Sequence, residues 1–147
     1  GMRFFTVYGP YGRPDMAIFI FSKKMKEGKK LPVFNGGNMY RDFTFIDDIV
    51  DGVLKALEKP EINQVYNFGR GKTENLMDMI NILAEIYGLR PELEMMPMQK
   101  GDVHRTSSDI TKAQKNLGFT PKIDLAIGLE RFASWFDLSF KEMNNNL

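Results

Sequence analysis

Two short runs set the terms for this chain. Arg3-Phe4-Phe5-Thr6-Val7-Tyr8 and Val65-Tyr66-Asn67-Phe68 are rich in aromatic and β-branched residues, and each stops at a glycine, Gly9 and Gly69. Strands that are apolar along their length want cover on both faces, the habit of a parallel sheet. Parallel pairing needs a crossover, and one is available. Ile46, Ile49, Val50, Val53, Leu54 and Leu57 recur at helical spacing, with Asp47 and Asp48 at the positive end of the helix dipole and Pro60 as the stop. The expectation is Val65–Phe68 parallel to Arg3–Val7, joined through the helix Asp47–Glu58.

The remaining segments fill in around that unit. Met16–Glu27 reads as a helix closed by Gly28, apolar nearly all round at its start and so packed between two surfaces. Leu31–Phe34 reads as a short edge-type strand, because Pro32 has no N–H to give a ladder. Asp42–Ile46 is another extended piece. Glu74–Tyr87 reads as a helix capped by Gly88, with its methionines as core filler. Leu93–Met96 is a strand, Ser108 or Asp109 to Leu117 a short helix, and Asp124 opens a last helix with a stripe at Leu125, Leu129, Phe132 and Phe136. Lys141–Leu147 reads as a polar, frayed tail. The order β, α, β, β, α, β, α, β, α, α is α/β, with too few strands to finish the sheet that its apolar strands call for.

Composition excludes several classes. At 147 residues the chain holds one ordinary domain. Its net charge is +1 with the basic residues dispersed, which is no nucleic-acid footprint. The absence of cysteine removes disulfides and thiolate nucleophiles, and the single His104 argues against a catalytic zinc. The longest apolar run, Met16–Phe21, is far short of a membrane span. These features point to a cytoplasmic protein without a membrane or nucleic-acid partner.

The stretch "VYNFGRGKTENL" looks like a phosphate loop. Such a loop requires G-x-x-x-x-G-K-[ST], and the first glycine position is occupied here by Tyr66. The bland reading is a tight turn at Gly69 and Gly71, with Thr73 as the N-cap of the next helix. The turn still ends a buried strand, where ligands of open α/β sheets gather.

The informative stretches are "RFFTVYGPYGRPDMA", "LPVFNGGNMYRDFTFIDDIVDG", "VYNFG" and "MPMQKGDVHRTSSDITKA". In this order they resemble the carboxyl-terminal half of extended short-chain dehydrogenase/reductase enzymes that act on sugar nucleotides, and among them the UDP-glucuronate 4-epimerases. The resemblance covers Arg3 to about Phe140. It implies a substrate-binding lobe over residues 1–140, a tail over 141–147, and strands that would complete a missing amino-terminal Rossmann sheet. Neither the glycine fingerprint for NAD nor a Tyr-x-x-x-Lys pair is present in this chain.

The resemblance also implies roles. Arg41 in "YRDF" matches a diphosphate-binding arginine, and a planar guanidinium suits paired phosphate oxygens. Phe34 matches an aromatic that packs on the uracil. Asp102 matches a carboxylate that accepts from the ribose hydroxyls, with Gly101 leaving room. Gln99 stands where many relatives carry arginine. Thr6 lies near the substrate carboxylate, to which its hydroxyl could donate, and Arg13 lies close to the bound sugar nucleotide. Phe4 and Phe5 would lie under the nicotinamide end of NAD.

The implied chemistry is a redox round trip at C4 of a UDP-sugar, with NAD as cofactor of the full-length enzyme. The chain alone is expected to be inactive, not to bind NAD, and to self-associate through bare sheet surface. The alternatives are the lobe of a related dehydratase or decarboxylase, a non-catalytic nucleotide-sugar-binding module, and a phosphate-loop nucleotidase, which the missing glycine disfavours.

Overall fold

The computed structural model describes residues 1–60 and 63–145. The opening segment forms two strands, β1 (Met2–Phe4) and β2 (Thr6–Tyr8), that share one extended chain but not one partner. β1 runs parallel to β6 (Tyr66–Phe68), and β2 runs parallel to β5 (Phe43–Phe45). The exchange happens at Phe5. Its N–H donates to the Phe68 carbonyl at 3.1 Å, and the next N–H, of Thr6, donates to the Asp42 carbonyl at 3.1 Å. Successive N–H groups of an extended chain point to opposite sides, so β6 and β5 flank the segment. The expected parallel pairing therefore holds for the first half of Arg3–Tyr8. The helix α2 (Ile46–Glu58) leads from β5 toward β6 as the crossover.

Burial of this unit departs from expectation. Met2 and Phe4 are 45% and 49% exposed, and the helical stripe divides, with Ile49 buried but Leu54 and Leu57 55% and 68% exposed. The cause is geometric. α2 turns its Ile49 and Gly52 side to Phe68 and Phe119. Among the described residues β1 and the opposite flank of α2 are covered only in part.

The main core gathers α1 (Ala17–Lys26), α3 (Leu76–Tyr87) and α5 (Leu125–Asn145), which pack on one another. Leu31 and Val33 of β3 (Leu31–Phe34) join it, fully buried, as do Phe43, Phe45, Met79, Leu83 and Phe136. β3 pairs in parallel with β8 (Leu93–Met96). A smaller core forms where α4 (Thr111–Leu117) covers β6, around Phe68, Leu117 and Phe119. A short antiparallel pair, β4 (Tyr40–Arg41) with β7 (Glu74–Asn75), lies beside the cavity described below. The architecture is α/β, carried by short, mostly parallel strand pairs.

Three element ends are corrected. The cap of α3 is Asn75, whose Oδ1 accepts from the Met77 N–H at 2.7 Å, and the Thr73 hydroxyl instead accepts from Arg105. α4 starts at Thr111, because Ser108 is buried against Asp42. α5 continues through Asn145, so residues 141–145 are helical where a frayed tail was expected, and residues 146–147 lie outside the described residues.

Tyr8 links the sheet to α5. Its ring meets Phe43 and Phe45 edge-on, and its hydroxyl donates to the Leu125 carbonyl at 3.3 Å. A Cβ at Gly128 would lie 2.0 Å from that hydroxyl, which explains a glycine inside the helix. Alanine in place of a helical glycine ordinarily stabilises. Gly128→Ala should here destabilise by about 1–3 kcal/mol through overpacking. Urea unfolding checks the sign, and Tyr8→Phe in the same background should recover part of the loss.

Candidate functional site

The site begins at a buried carboxylate. Asp42, fully buried between β4 and β5, accepts from the Arg70 N–H at 2.7 Å on Oδ1, and from Gly71 N–H at 3.1 Å and Ser108 N–H at 3.0 Å on Oδ2. The hydroxyls of Thr44 and Ser108 donate to it as well. The glycine-rich turn that resembles a phosphate loop thus wraps an internal anion. A Cβ at Gly69 would sit 2.2 Å from Ser108 Oγ, so close approach fixes that glycine. Arg70 is itself anchored to Glu74 at 2.9 Å and to Asp124.

Beside this hub lies a cavity of about 410 Å³, a usual size for a small-molecule site. Its lining is mainly apolar, from α1, Met39, Phe43 and Leu76, with Thr6, Asp15, Arg41, Gln99 and Asp102 as polar points. Arg41 projects from β4 and is held at three places. NH2 donates to Asp102 Oδ1 at 2.7 Å, and NH1 donates to the carbonyls of Tyr40 at 2.8 Å and His104 at 3.4 Å. The strand itself is fixed by the Tyr40 N–H to the His104 carbonyl and by the Thr106 N–H to the Tyr40 carbonyl. Asp102 sits in a turn in which its N–H donates to the Gln99 carbonyl at 3.2 Å, and Gly101 there has φ of 84°. The Arg41 side chain is 18% exposed, so its fork is largely withdrawn from bulk water.

Thr6, Phe34, Arg41, Gln99 and Asp102 all line this one cavity. Phe34 closes β3 just before the 3₁₀ turn Asn35–Gly37. Arg13 is not in the lining. It stands in the exposed loop before α1, its fork held by Asp15, which does line the cavity. Hydrogen bonds from Arg13 hold the Asp15 carboxyl below the usual carboxylate range. Phe4 and Phe5 lie on the other side of the partner exchange. Phe4 stacks on Phe68 at 6.2 Å, and Phe5 is engaged through its backbone.

Sequence reasoning missed Asp42, Ser108, Arg70 and Asp15. No spacing rule links residues 28 and 66 positions apart. Tyr8 also lines the cavity, but burial pushes its phenol well above the ordinary value and its hydroxyl is engaged, so it is no base at neutral pH. Among the described residues no group of His, Asp or Glu could hold a metal ion, and no helix is long and apolar enough to cross a membrane.

The family described as NAD dependent epimerase/dehydratase matches residues 1–69. UDP-glucuronate 4-epimerase 5 of Arabidopsis thaliana is 40% identical over 153 residues, covering 92% of this chain and 35% of its own length. The solved structure of UDP-glucuronic acid 4-epimerase from Bacillus cereus, in complex with UDP-glucuronic acid and NAD, superposes with a TM-score of 0.90. It is 36% identical, over 94% of this chain and 45% of that one. The UDP-glucose 4-epimerase of Thermotoga maritima with UDP-glucose gives a TM-score of 0.89 at 34% identity, over 95% of this chain and 46% of that one.

The chain spans less than half the length of these relatives. The structural likeness continues past residue 69 into the segments that carry Gln99 and Asp102, since it covers 94% of the chain. Within this epimerase-like fold the cavity is therefore built by two stretches. One is the family-matched stretch, with Thr6, Phe34 and Arg41. The other is the later loop, with Gln99 and Asp102.

Proposed function

We propose that this chain is the nucleotide-sugar-binding lobe of an NAD-dependent 4-epimerase, with UDP-glucuronate as the sugar nucleotide. The observation that carries this reading is the convergence of Thr6, Phe34, Arg41, Gln99 and Asp102 on one cavity. Two of the three compared proteins carry UDP-glucuronate or UDP-glucuronic acid 4-epimerase in their names. Each residue then has a task that its chemistry suits. Arg41 offers a fixed planar fork to diphosphate oxygens. Asp102 accepts from ribose hydroxyls, Phe34 packs on the base, and the Thr6 hydroxyl donates to the sugar carboxylate. Gln99 can donate an amide N–H where a cation is not needed.

NAD, when bound, supplies reversible hydride transfer at C4 of the sugar. In this reading the groups that hold its phosphates and transfer the proton belong to the remainder of a longer enzyme, and this chain supplies grip and orientation. The exposed apolar row of Met2, Phe4, Val50, Leu54 and Leu57 fits a lobe that rests on such a remainder. By the same reasoning the isolated chain neither epimerises a sugar nor binds NAD. Calorimetric titration with NAD should give no heat of binding, and a micromolar affinity would overturn the division of labour.

Arg41→Ala should weaken UDP binding by the worth of one or two charge-assisted hydrogen bonds, about 1.5–3 kcal/mol each. Arg41→Lys should recover only part, since an ammonium lacks the planar fork. Titration of UDP into the folded variants reads both, and an unchanged affinity would show that the diphosphate lies elsewhere.

Thr6→Val keeps the β-branched shape and removes the hydroxyl. It should weaken UDP-glucuronate while leaving UDP-glucose nearly unaffected, as measured by competition binding. Equal losses for both sugars would remove Thr6 from carboxylate recognition.

A further inference from the structure

We propose that Asp42 is a positioning residue for the cavity, the buried anion that aims Arg41 and holds the Asp102 loop against it. The inference rests on the reading of the cavity as a nucleoside-diphosphate site. It adds a residue that touches no ligand.

The geometry is a convergence of main chains. The Asp42 carbonyl accepts from the Thr6 N–H, which ties down the strand that presents the Thr6 hydroxyl. Its carboxylate collects the N–H groups of Arg70, Gly71 and Ser108. Ser108 ends the segment that begins at the Asp102 turn and runs through His104, Arg105 and Thr106 beside Tyr40. Arg41 is the residue immediately before Asp42, and its fork rests on two points of that segment, Asp102 and the His104 carbonyl. One side chain therefore joins both ends of the clamp, the strand that carries the cation and the loop that orients it.

Charge decides why the residue is an aspartate. Five donors face its two oxygens. Two or three N–H groups aimed at one point form an anion nest, and here the chain fills it with its own carboxylate. Asparagine has the same shape but one oxygen fewer. Its NH2 would face either the Arg70 N–H or the Ser108 and Gly71 N–H groups, donor against donor in a buried place. The strand and the loop would separate there, and Arg41 would lose its fixed direction.

The test compares the wild-type chain, Arg41→Ala, Asp42→Asn and the double variant, each titrated with UDP and with uridine. The expected result is a UDP affinity reduced about tenfold or more by Asp42→Asn, the loss of one charge-assisted hydrogen bond. Uridine affinity should fall by less than UDP affinity, because uridine can lose only the ribose contact of Asp102, and Asp42→Asn should add to Arg41→Ala no more than that uridine loss. Parallel losses for UDP and uridine, or losses that multiply in the double variant, would overturn the inference. Ser108→Ala keeps the carboxylate and removes the hydroxyl's two ties, the one it donates to Asp42 and the one it accepts from the Gly71 N–H. It should reproduce the UDP-selective loss in weaker form, and it serves if Asp42→Asn does not fold. If the wild-type chain binds no UDP, the nucleoside-diphosphate reading falls by itself. The positioning role is then read without ligand from the Arg41 Nε–H resonance, which should move in Ser108→Ala and in Asp42→Asn toward its solvent-averaged position. An unmoved resonance would sink the proposal.

Discussion

A buried carboxylate with five donors is the constraint on which this molecule is organised. Burying a charge is costly unless its hydrogen bonds are all returned, and Asp42 recovers most of them from two separate stretches of chain. Each stretch is short of regular structure of its own. The turn at Arg70–Gly71 follows a three-residue strand, and the 97–108 segment holds no helix and no strand beyond one bridge at Arg105. Without the shared anion these segments would have few reasons to meet. With it, the 97–108 segment is held where its Gln99 and Asp102 line a cavity that α1 and β3 also line.

The pairing of Arg41 with Asp102 has two sides. The aspartate holds the guanidinium in one direction before any ligand arrives, which lowers the entropy lost on binding. It also occupies part of the fork, so an anionic ligand must share the donors. Arg41 keeps two further contacts to carbonyls, so sharing does not release it from the wall. Arg13 is the contrary case, a cation in an exposed loop held only by Asp15.

Much of the fold was legible because periodicity is local. The α2 stripe, the α3 stripe with its Gly88 end, and the strands at β3 and β8 follow from spacings within a dozen residues. The cavity residues were legible only through resemblance, since nothing in "YRDF" or "KGDV" announces a shared pocket. The remainder hid for physical reasons. The partner exchange at Phe5 depends on which strand lies on which side, and a run of apolar residues reads the same either way. The Asn75 cap was missed because Thr73 is equally able to cap and lies two residues earlier. The Asp42 hub joins side chain to backbone over long separations, and such bonds leave no pattern in the residue order.

The half-covered face of α2 and β1 has a consequence for the chain as a solute. A net charge of +1 supplies almost no long-range repulsion between molecules. Any attraction through exposed Leu54, Leu57 and Phe4 would be apolar and would strengthen in sulfate or phosphate, which are excluded from protein surfaces. For an exposed flank of this kind, the choice of salt bears on solubility more than distance from the isoelectric point does.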